Sequence, residues 1–77
     1  MGNISTLAKK FAIRVLFERT KKKYSQERLA ELAGIGRSTL TQIEAQASSP
    51  TLDVVEKLAN ALGFEPYELL IFKNLEI

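Results

Sequence analysis

The 77-residue chain contains no cysteine and no histidine. A disulfide, a thiolate zinc site and a cysteine nucleophile are excluded, and the commonest general base and metal ligand are missing too. Tryptophan is absent, aromatic residues make up 8%, and only four glycines and two prolines punctuate the chain. No apolar run approaches the roughly 20 residues that a membrane span needs; the longest toward the C-terminus is Leu69-Leu70-Ile71-Phe72. Lys9 and Lys10 precede no secretory apolar core, because Arg14, Glu18 and Arg19 interrupt the stretch that follows. These absences disfavour enzyme chemistry and a membrane role. They favour a cytoplasmic binding module with no metal and no cofactor.

What is present is ordinary for a soluble globular chain, with 45% hydrophobic and 26% charged residues. The length suits a single domain over residues 1–77. A core this small supplies roughly 3–5 kcal/mol of net stability, so regular helix packing and association with a second chain are the expected supports. The overall charge of +2 hides an asymmetry. Residues 1–23 carry Lys9, Lys10, Arg14, Arg19, Lys21, Lys22 and Lys23 against Glu18 alone. Residues 51–77 carry Asp53, Glu56, Glu65, Glu68 and Glu76 against Lys57 and Lys73. A basic third of this kind suits a polyanion, although a lysine run is equally compatible with a solvated loop.

The periodicity is helical throughout. Leu7, Ala8, Phe11, Ala12, Val15 and Leu16 recur at three-four spacing and predict a first helix from about Thr6 to Arg19, capped by Ser5. Lys21 to Tyr24 read as a connection. Ser25 caps a second helix with Leu29, Ala30, Leu32 and Ala33 inward, and Gly34-Ile35-Gly36 breaks it. A third helix between Arg37 and Ala45 turns Leu40 and Ile43 inward and leaves Arg37, Ser38, Thr41 and Gln42 outside. Ser48-Ser49-Pro50 is a loop. Thr51 caps a fourth helix carrying Leu52, Val55, Leu58, Ala59 and Leu62, which Gly63 ends. Pro66 opens a fifth through Tyr67, Leu69 and Leu70. The expected fold is all-α: a compact five-helix domain with a helix-turn-helix at its centre.

The informative stretch is residues 25–44. Ala30 is small where two helices must approach, Gly34 suits a left-handed turn, and Leu29, Ala33, Ile35, Leu40 and Ile43 are apolar on the inner face. That leaves the outer face of the third helix polar, and the DNA major groove admits one α-helix. The motif text is Ser25-Gln26-Glu27-x-Leu29-Ala30-x-x-Ala33-Gly34-Ile35, Ser38-Thr39-Leu40-x-x-Ile43-Glu44, Pro50-Thr51-Leu52 and Leu58-Ala59-x-Ala61-Leu62-Gly63. It resembles the lambda-repressor/Cro-like (XRE) helix-turn-helix family over about residues 11–70. Within that family it is similar to small restriction–modification controller proteins and phage repressors, and antitoxin-type repressors fit as well.

The resemblance implies a sequence-specific transcriptional regulator, a repressor or autoregulator, that binds a palindromic operator as a homodimer. It implies base contacts from Arg37, Ser38, Thr41 and Gln42. Phosphate contacts are implied for Gln26 and Thr39, with Lys21, Lys22, Lys23 and Gln46 placed near the backbone. Arg19 and Glu44 match a structural ion pair that orients the reading helix. Three positions depart from the pattern. Lys23 and Gln46 stand where glycine is frequent, so Lys23 is expected to bear a left-handed backbone, and Gly36 replaces a hydroxyl cap. Dimer contacts are expected from Tyr67, Ile71, Phe72 and Leu75, with the tail 71–77 at the interface; the alternative is a tail folded back over Ile13 and Phe17. A second functional class stays open, a protein-interaction module of the same fold with weak or no specific DNA binding.

Overall fold

The computed structural model describes residues 4–72. It contains four α-helices: α1 (Thr6–Lys21), α2 (Gln26–Ala33), α3 (Arg37–Glu44) and α4 (Leu52–Leu62). A 3₁₀ helix, Pro66–Leu70, follows them, and no strand occurs among the described residues. Three helix starts are fixed by side-chain caps. Ser5 Oγ accepts from the Ala8 N–H at 3.0 Å, Ser25 Oγ from Arg28 at 3.0 Å, and Thr51 Oγ1 from Val54 at 3.1 Å. Each occupies one of the donors that a helix start leaves without an internal partner. α3 begins at Gly36, which has no side chain to offer.

All four α-helices end by one device. The residue after the last turn adopts positive φ, and its N–H and the next one bond back to carbonyls of the final turn. The positive-φ residues are Lys23 (62°), Gly34 (72°), Gln46 (61°) and Gly63 (83°). The bonds that close the turns run from Tyr24 to Arg19, Ile35 to Ala30, Ala47 to Gln42 and Phe64 to Ala59, all between 2.8 and 3.1 Å. Three of the four residues that follow, Tyr24, Ile35 and Phe64, then pack on the core. The ends of the helices are thereby tied to the tertiary structure.

The core gathers Phe11 and Val15 of α1, Leu29 of α2, Leu40 and Ile43 of α3, and Leu58 and Leu62 of α4. α2 packs on both α3 and α4, while α1 lies against α3 and the 3₁₀ helix. Burying one large aliphatic or aromatic side chain contributes about 1.5–3 kcal/mol. These few residues therefore hold every helix in place.

The structure departs from the sequence expectation in three ways. The fifth element is a 3₁₀ helix, because its last carbonyls are engaged from outside. Arg14 Nη1 donates to the Glu68 and Ile71 carbonyls, and Ile71 N–H bonds back to Glu68 at 3.2 Å in the three-residue pattern. α1 extends past Arg19 to Lys21. Leu7, Leu16, Leu32 and Leu52, expected inside, are exposed, Leu52 by 84%. Helices of eight to sixteen residues present a wider apolar stripe than their neighbours cover, so the flanks of the stripe meet solvent. Leu75 lies outside the described residues, as does most of the tail.

Candidate nucleic-acid interface

The Gly34 turn joins α2 to α3 with the Gly34 N–H bonded to Glu31 at 3.2 Å and that of Ile35 to Ala30 at 3.0 Å. A β-carbon on Gly34 would meet nothing within 4 Å. The glycine answers to its positive φ and not to crowding. Ile35, half-buried, then anchors the turn on the core. α3 emerges with Leu40 and Ile43 fully inward, 0% and 1% exposed. The helical period therefore puts Arg37, Ser38, Thr41 and Gln42 on the opposite face.

These four side chains are all exposed and together line one open hollow of about 330 Å³. They bring a guanidinium, two hydroxyls and a carboxamide to one strip of the helix surface. Such groups hydrogen-bond base edges: arginine matches guanine O6 and N7, and glutamine matches adenine N6 and N7. Thr39 is exposed in the first turn of the same helix. Gln46, in its left-handed conformation, stands exposed just past the end of α3.

From that strip a partly buried polar network runs inward. Arg19 Nε approaches Glu44 Oε2 at 2.7 Å and its Nη2 donates to Oε1 at 2.9 Å, while Nη1 donates to the Tyr24 carbonyl at 2.8 Å. The pair is bidentate, and the Glu44 side chain is only 4% exposed. It joins the end of α1 to the end of α3. Gln26 Nε2 donates to Glu44 Oε1 at 2.9 Å, and Thr41 Oγ1 donates to Gln26 Oε1 at 2.9 Å. The Gln26 carboxamide is thus engaged at both ends within the protein. It keeps one further hydrogen on its amino group, and the first main-chain N–H groups of α2 have no partner within the helix.

The lysines divide. Lys21, the last residue of α1, and Lys22 and Lys23, which lead to the N-terminus of α2, are exposed and adjacent in the chain to the network. Lys21 also lies 5.9 Å from the Phe17 ring centre. Lys9 and Lys10 are near the other end of α1, about 18 Å away at 1.5 Å per residue. Arg14 is neutralised by Glu18 at 3.0 Å. The sequence presents Arg14 only as charge, and the family resemblance implies only a phosphate contact for Gln26. The four-residue spacing of Arg14 and Glu18 was a signal for the first; nothing in the sequence signals that Gln26 meets Glu44 and Thr41.

A two-helix unit with a left-handed glycine turn, an inward apolar face and an outward polar face defines a helix-turn-helix protein. Comparison with known proteins agrees. The helix-turn-helix family model matches residues 17–69. The control protein C.BamHI of Bacillus amyloliquefaciens is 36% identical over 56 residues, covering 73% of this chain and 69% of that protein. The crystal structure of the restriction–modification controller protein C.AhdI from Aeromonas hydrophila superposes with a TM-score of 0.77 at 42% identity, covering 80% of this chain and 94% of the other. The structure of SinR, a master regulator for biofilm formation, in complex with DNA gives 0.74 at 32% identity, covering 79% and 98%. The chain belongs to the helix-turn-helix family of XRE type.

Proposed function

We propose that the protein is a sequence-specific transcriptional regulator that inserts α3 into the major groove of a palindromic operator and binds it as a homodimer. The observation that carries this reading is the convergence of Arg37, Ser38, Thr41 and Gln42 on one exposed face of a helix whose other face is buried. Under it, these four residues touch base edges. The start of α2 at Gln26, together with Thr39, Gln46 and Lys21 to Lys23, meets phosphates. Arg19 and Glu44 hold the reading helix in position. The relatives named above are controllers and regulators, one of them solved on DNA, which supports the same conclusion.

The proposed dimer contact uses Tyr67 and Ile71, which are 65% and 46% exposed, with a contribution from Phe72. Phe72 is partly occupied already, since Lys10 Nζ lies 5.9 Å from its ring centre. Leu70 extends the apolar surface into a hollow of about 160 Å³ that Leu7 and Leu52 also line. Selection from random duplexes at two salt concentrations tests the function. A regulator of this kind returns a symmetric consensus at both. Retention of duplex without a consensus, lost at the higher salt, would reduce the activity to polycation attraction and reject the reading.

A further inference from the structure

We infer that Thr41 acts on bases as a hydrogen-bond acceptor only, and that a relay from Arg19 through Glu44 and Gln26 imposes this polarity. The inference rests on the DNA-reading role proposed above and adds which bases that position prefers.

A threonine hydroxyl normally has no fixed polarity. It carries one proton and two lone pairs, so it serves donors and acceptors alike and discriminates poorly between bases. Here each step of the chain removes a choice. The Arg19 guanidinium has only donors, and it takes both Glu44 oxygens, at 2.7 and 2.9 Å. A carboxylate held in that fork only accepts, so the Gln26 carboxamide must turn its amino group toward Glu44, where Nε2 sits 2.9 Å from Oε1. Its carbonyl oxygen then faces Thr41. That oxygen can only accept, so the single Thr41 proton is committed to it, at 2.9 Å. What the Thr41 oxygen keeps for a base is its lone pairs.

In the major groove the donors are the amino groups of adenine and cytosine; the corresponding guanine and thymine positions are acceptors. Each base pair carries one such amino group, so Thr41 favours A or C over G or T on the strand whose edge it faces. One hydrogen bond of ordinary worth corresponds to roughly three- to tenfold.

The test is the same duplex selection on the wild type and three variants, each column of the consensus scored relative to the others. Thr41→Val keeps the shape and removes the lone pairs. It should abolish the A/C preference at one column, identify that column as Thr41's, and leave the rest intact. Thr41→Ser keeps the hydroxyl and should preserve the preference. Gln26→Met removes the acceptor that holds the proton, freeing the hydroxyl, so G and T should become tolerated at that same column. Because the scoring is relative, a uniform loss of affinity from a missing phosphate contact does not imitate this result. Thr41 is exposed, so its variants keep the fold even where Gln26→Met is checked by a melting curve and found weakened. The relay is overturned if the wild type accepts a base and its complement alike at that column (A and T, or C and G), because exchanging the pair between strands moves the amino group. It is equally overturned if Thr41→Val alters no column, or if folded Gln26→Met leaves the preference unchanged. A wild type without any consensus would reject the DNA reading itself and the relay's role with it; that outcome is distinct, since the other failures all occur with a consensus in place.

Discussion

Lys23 and Gln46 hold φ near 60°, a region where a β-carbon costs about 1–3 kcal/mol and glycine is at ease. Replacing Lys23 by glycine removes that strain but adds about 0.5–1 kcal/mol of unfolded-state entropy. The net expectation for Lys23→Gly is a gain of up to about 2.5 kcal/mol. In a domain of this length each kcal/mol raises the midpoint by about 4–8 °C, read by thermal melting. An unchanged or lower midpoint would show that the lysine is relaxed there. Glu44 is the opposite case. Truncating it to alanine strands the Arg19 guanidinium and one Gln26 donor in a site from which water is largely excluded. Breaking one side of a buried pair costs about 3–5 kcal/mol, comparable to the roughly 3–5 kcal/mol that a core of this size provides. Glu44→Ala should therefore populate the unfolded state at moderate temperature, as read by urea titration. Unchanged stability together with unchanged DNA affinity would remove the pair from any structural role.

Among the elements, the 3₁₀ helix depends most on a single side chain. Arg14 donates to the Glu68 and Ile71 carbonyls, pairs with buried Glu18 and lies 5.4 Å from the Phe64 ring centre. It pins the 3₁₀ helix and Phe64 against α1. Arg14→Met leaves Glu18 buried without its partner and should cost about 3 kcal/mol. The double variant Arg14→Met/Glu18→Met should recover a large part of that, since an apolar pair of similar size replaces a desolvated ionic one. Denaturant curves on the three proteins check the pattern. Equal losses in the single and double variants would mean that the carbonyl contacts, and not the stranded carboxylate, dominate.

At the scale of the molecule, the described residues span 28 × 28 × 20 Å. The half-sites of a helix-turn-helix dimer lie ~34–36 Å apart, one turn of DNA, which exceeds the extent of one such body, so two are needed to span them. The apolar surface around Tyr67, Leu70 and Ile71 is where we propose that the two meet. Sedimentation at tens of micromolar should give the mass of two chains, and the thermal midpoint should rise with protein concentration. Ile71→Glu should shift the protein to one chain per particle and weaken binding to a two-half-site duplex far more than to a single half-site. A monomer at that concentration would reject the dimer.

Much of this architecture is local and was legible in the chain. Ser5, Ser25 and Thr51 mark helix starts because a side-chain oxygen beside a free N–H is a contact between residues three apart. Gly34 and Gly63 mark ends because positive φ is a property of one residue. Phe11, Val15, Leu29, Leu40, Ile43, Leu58 and Leu62 announce the core by their spacing, which also turns Arg37, Ser38, Thr41 and Gln42 away from it. Periodicity marks the middle of an apolar stripe better than its margins, so Leu7, Leu16, Leu32 and Leu52 read as interior and are not. Only the tertiary structure decided those margins, the 3₁₀ form of Pro66–Leu70, and the direction in which the Gln26 carboxamide points. In each case the deciding partner lies far along the chain: Arg14 is 54 residues from the Glu68 carbonyl it holds, and Glu44 is 18 from Gln26. A residue's own neighbours set its helical phase and its caps, whereas the partner of a polar side chain is set by whichever group the packing brings within 3 Å.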